Sequence, residues 1–71
     1  KMKFMLVYAI CSVQLGMCQP DIRDPKLYNT WQECVNAGAL KTVHYINSKP
    51  AEEVNRLQIG FKFSCNEVGS T

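Results

Sequence analysis

The sequence predicts a small, cysteine-stapled α+β or α/β domain of β-α-β order. Three observations carry this. Phe4–Cys11 is an unbroken apolar run, Trp31 to Ile46 repeats at helical spacing, and Gln58 to Cys65 alternates with a period of two. The expected elements are strands at about 4–11 and 58–65, a main helix at about 31–46 and a short second helix at about 50–57.

Seventy-one residues make one domain, spanning 1–71. A chain of this size buries only about 60% of its unfolded surface, so its core is marginal and a staple is expected. Four cysteines fit two disulfides, each stabilising by roughly 2–4 kcal/mol in an oxidising compartment. In a reducing one the same residues would be buried thiols. Eight basic and six acidic residues give a net charge of +2, and the basic ones are scattered. A nucleic-acid binder carries a basic stripe with interleaved aromatics, so nucleic acid is not an expected partner.

The first run, Phe4-Met5-Leu6-Val7-Tyr8-Ala9-Ile10-Cys11, is far shorter than the about 20 residues of a membrane-spanning helix. Behind Lys1-Met2-Lys3 it has the form of a signal-peptide core, but no small-x-small cleavage site follows. It reads as a buried strand. Ser12 to Lys26, with Gly16, Pro20, Pro25, Asp21 and Asp24, reads as an irregular connection that Cys18 could tie down. Thr30-Trp31-Gln32-Glu33 is a capping box opening the main helix. Trp31, Cys34, Val35, Gly38, Ala39, Thr42, Val43 and Ile46 then form one stripe. Gly38 in mid-helix costs about 1 kcal/mol and is expected to let the helix lie close on the sheet. Pro50 with Glu52 and Glu53 marks the short helix. In the last strand Ile59, Phe61, Phe63 and Cys65 share one face, and Asn66–Thr71 reads as a polar tail.

A β-α-β order implies parallel strands joined by a right-handed connection. It would gather Cys11, Cys18, Cys34 and Cys65 at one pole. Four cysteines allow three connectivities, and sequence does not choose among them. Cys18–Cys34 with Cys11–Cys65 is favoured over Cys11–Cys34 with Cys18–Cys65. The first strand is apolar on both faces, and one helical layer covers only one of them. The face bearing Phe4, Leu6, Tyr8 and Ile10, or the free edge of that strand, is therefore expected to meet a protein partner or a second copy, each side chain being worth about 1.5–3 kcal/mol when buried.

Chemistry is weakly indicated. The cysteines are seven, sixteen and thirty-one residues apart, without the close pair of a zinc site. Cys34 in a first helical turn resembles a redox thiolate but lacks a nearby second cysteine. His44 lies about 15 Å along the helix from it, too far for a nucleophile–base pair, and is expected to be solvated or partly packed. Glu52-Glu53 and Asp21/Asp24 read as helix-start acids and turn formers. Trp31 reads as a packing anchor, with Tyr28 and Tyr45 left open. No catalytic, cofactor or metal residues are expected, and the chain is not expected to be an enzyme.

Several features occur together: a Lys-rich start, a strand ending Ile10-Cys11-Ser12, Cys18 before Pro20, and an aromatic shortly before Cys34. Ala37-Gly38, Ile46-Asn47 and the closing Phe61-Lys62-Phe63-Ser64-Cys65 complete the pattern. From about Lys3 to Glu67 the chain resembles a group of very small cysteine-containing proteins of marine bacteriophages. That group has no established activity, so the resemblance implies no catalytic residues. It implies a virion component such as a capsid decoration or cement subunit, located in the particle or the infected bacterial host. The alternatives are an effector that binds and modulates a host bacterial protein, or a secreted, extracellular disulfide-rich binding domain.

Overall fold

The structure is a computed structural model and describes residues 2–69. In chain order the elements are β1 (Lys3–Ser12), β2 (Met17–Cys18), β3 (Ile22–Tyr28), α1 (Trp31–Ser48), α2 (Ala51–Leu57) and β4 (Ile59–Val68). The α+β class and all four expected elements are present. Val68 closes β4, so Asn66, Glu67 and Val68 belong to a strand where a tail was expected. Lys1 and the tail residues Ser70 and Thr71 lie outside the described residues.

The sheet corrects the expected topology. All pairs are antiparallel, β1–β4 included. The cause is β3, which begins inside the stretch expected to be irregular and runs two residues past it. It folds back along β1 before α1 runs the other way, so β4 arrives opposed to β1 and no parallel crossover is needed. β1 is thus the central strand. β4 runs along its full length from Lys3↔Val68 to Ser12↔Ile59. β3 and the short β2 share the other edge. The turn into β2 uses Gly16 at φ 67°, where a side chain would be strained. Its N–H bonds the Ser12 carbonyl at 2.9 Å.

β3 is an irregular strand. Met5 opposes Leu27 and Val7 opposes Arg23, so the single residue Leu6 faces Asp24, Pro25 and Lys26. Proline has no N–H to give a ladder, and an edge bulge is where it is tolerated.

α1 begins as the capping box requires. Thr30 Oγ1 accepts the Glu33 N–H at 3.0 Å, while Glu33 Oε1 reaches back one residue further than expected, to the Asn29 N–H at 3.1 Å. The helix lies on β4 and β1. A Cβ added to Gly38 would fall 2.5 Å from the Phe63 ring, so only glycine permits this approach. Directly opposed residues share a sheet face. Leu6↔Cys65, Tyr8↔Phe63 and Ile10↔Phe61 therefore all look toward α1. Phe4 meets Trp31 edge-on at 6.1 Å, and Phe61 packs between Tyr8 at 5.2 Å and Tyr45 at 5.4 Å. Leu6 and Cys34 are fully buried.

Phe4, Leu6, Tyr8 and Ile10 thus form the floor of the core, not the uncovered face. The side of β1 away from the helix carries Met5, Val7, Ala9 and Cys11, of which Ala9 is buried and the others are half-buried. The faces are exchanged because β4 has a single apolar face, and its register with β1 decides which side of β1 the helix covers.

Candidate functional site

The four cysteines are joined as Cys11–Cys18 and Cys34–Cys65, with no free thiol. This is the third connectivity, and it corrects the favoured one. Cys11 and Cys18 are opposed in the β1–β2 ladder, so the hairpin brings them together. Cys34 lies over β4, where Cys65 faces it. The sulfurs therefore sit at two separate places, since antiparallel strands put Cys11 and Cys65 at different levels of the sheet. In this oxidised state Cys34 has no thiolate to offer.

Asp24, expected as a turn former, is instead a buried carboxylate. It accepts the Lys26 N–H at 2.9 Å and the Tyr28 hydroxyl at 3.0 Å, with Lys41 Nζ at 3.6 Å. Burial works to raise its pKa. The Lys26 N–H, the Tyr28 hydroxyl and the Lys41 charge outweigh that and hold it below the ordinary carboxylate value. For Tyr28, burial first and then the hydrogen bond and charge of Asp24 push the phenol upward. The cluster ties the β3 bulge to α1. In the sequence its signal is Asp-x-Lys with Pro25 between, an Asx-type turn within a strand.

Beside it, Tyr8, Ile10, Ile22, Leu40, His44 and Phe61 line an open groove of about 550 Å³ between α1 and β3. His44 is exposed on its rim, in keeping with the solvated reading. Lys41 lies 5.6 Å over the Tyr8 ring, where the ring quadrupole attracts its charge. Among the described residues, no three His, Cys, Asp or Glu side chains converge as a metal-ligand set.

The sheet's two edges differ. On the β3 side the ladder is broken by the bulge and by Pro25. On the other side β4 gives ten consecutive register pairs to β1 without a bulge and, among the described residues, has no strand beyond it. The Ile10 carbonyl accepts from Gln19 on the β2 side, whereas the Val13 N–H bonds the Gln58 carbonyl. Backbone groups alternate between neighbours along an antiparallel strand. Phe61, Phe63 and Cys65 therefore turn their N–H and C=O groups to the open edge. Above that edge stands one flank of α1. Leu40, Lys41 and His44 look toward β3, and the 100° step per residue puts Val35, Ala39, Val43 and Ile46 on the opposite flank.

No family model, curated protein or solved structure matches the chain. No helix among the described residues is long and apolar enough to cross a membrane.

Proposed function

We propose that the chain is a non-enzymatic structural or interaction protein that works by docking on another protein surface, as a decoration or cement subunit of a phage particle. The observation that carries this is where its apolar side chains lie. Among the described residues the fully buried hydrophobic ones are Leu6, Ala9 and Cys34, whereas nine large ones, from Met2 to Val43, are at least 40% exposed. Scattered apolar residues on a surface are ordinary, but a surface outweighing the core is what a subunit made for association presents. The shape agrees. The radius of gyration is 13.6 Å, against about 11 Å for a compact domain of this length. An elongated two-layer body spreads its apolar residues outward.

The resemblance to marine phage proteins supplies the particle context, and two disulfides suit a component that persists outside a reducing cytosol. Quantitative mass spectrometry of purified particles of the encoding phage tests the reading. The expected result is the chain in fixed ratio to the capsid protein. Its absence from the particle ends the virion assignment.

A further inference from the structure

We infer that the chain forms a two-fold dimer in which β4 pairs antiparallel with β4 of a second copy and the two α1 helices pack side by side above the joint. The inference rests on the associative role proposed above and names the partner. Two independent features point to it. The first is the open β4 edge, a row of outward N–H and C=O groups without the proline or bulge that blunts β3. The second is the apolar flank of α1 over that edge. Ala39 and Val43 are exposed there, and Val43 is 56% accessible although it is a large aliphatic residue.

What selects a second copy over a foreign strand is that both features have one centre. Phe63 lies at the middle of β4, and Gly38 sits on its ring, so Ala39, the middle of α1, stands beside the midpoint of the edge. A single two-fold axis through Phe63 then serves both layers. In the strands, Phe63 pairs with its own copy and Phe61 with Cys65, all residues whose backbone groups face outward. Lys62 meets Ser64 and Glu67 meets Ile59, so no like charges oppose. In the helices, Ala39 meets Ala39 at the crossing, and Val35 meets Val43 on either side. Strands lie about 4.8 Å apart, so helices seated between β1 and β4 would run about 10 Å apart, within packing range. A small residue at the crossing is what that spacing needs.

The test is sedimentation velocity over a concentration series on the oxidised protein, with amide hydrogen exchange alongside. Wild type is expected to be dimeric, with the Phe61, Phe63 and Cys65 amides protected. Ala39→Arg puts a charge at the helix crossing. Glu67→Pro removes an outward N–H that β1 does not use. Each is expected to weaken the dimer at least about tenfold while leaving the circular dichroism of the monomer intact. Leu40→Lys, on the β3 flank, is expected to leave it unchanged. A monomer at every concentration overturns the inference, as does a dimer indifferent to both Ala39→Arg and Glu67→Pro. A monomer still found in purified particles would remove the two-fold pairing and leave the wider reading standing.

Discussion

Asp24 carries more of the fold than its place beside a proline suggests. It is the charged side chain that the described residues bury, and three donors from β3 and α1 converge on it. Because its folded pKa lies below the ordinary 3.8, its stabilisation is present above that value and is lost as pH falls through the folded one. Asp24→Asn should therefore lower stability at neutral pH by about 1–3 kcal/mol and flatten the wild-type decline below about pH 4. Urea unfolding of both proteins from pH 7 down to pH 2 checks this. Parallel curves would mean that the carboxylate's charge plays no part. The Lys41 ion pair adds little to the expected loss, since that lysine is 40% exposed.

Among the elements, the two disulfides close loops of very different length. Their sequence separations are 7 and 31 residues. Chain-entropy reasoning gives about 2 kcal/mol for the hairpin bond and about 4 for the bond between helix and sheet. Replacing Cys34 and Cys65 by serine should thus destabilise by about 1–2 kcal/mol more than replacing Cys11 and Cys18, as read from urea midpoints. The pairing has its own check. A non-reduced tryptic digest should yield Phe4–Arg23 closed on itself and Leu27–Lys41 linked to the peptide that begins at Phe63. Elements with a strong period were legible in the sequence: the run at Phe4, the capped stripe after Thr30 and the alternation before Cys65. β3 was not, because Ile22-Arg23-Asp24-Pro25-Lys26 has no period, and its strand form comes from lying along β1. The disulfide pairing and the covered face failed with it. Both depend on the β1–β4 register, which no local pattern encodes. An open edge was expected on the first strand, but β1 is paired on both sides and the edge falls to β4, although Val35, Ala39, Val43 and Ile46 were already in view as part of one stripe.

At the scale of the whole molecule, the body measures 45 × 20 × 16 Å, so most residues lie near a surface. Burying little apolar area has a thermodynamic signature. The heat capacity of unfolding should fall below the usual 12–15 cal/mol/K per residue. Scanning calorimetry on the Ala39→Arg protein, taken as monomer, measures it. A value inside the usual range would mean that the folded chain hides more apolar surface than its exposed residues allow.

Among the described elements β4 follows all the others, and this sets the order in which the sheet can be built. Translation delivers β1 before its ten-residue partner β4, with β2, β3 and both helices in between. A nascent chain halted before residue 59 would have its hairpin, its first staple and its long helix. The middle of its sheet would still be bare along one side, and Cys34 would be waiting for a sulfur not yet made.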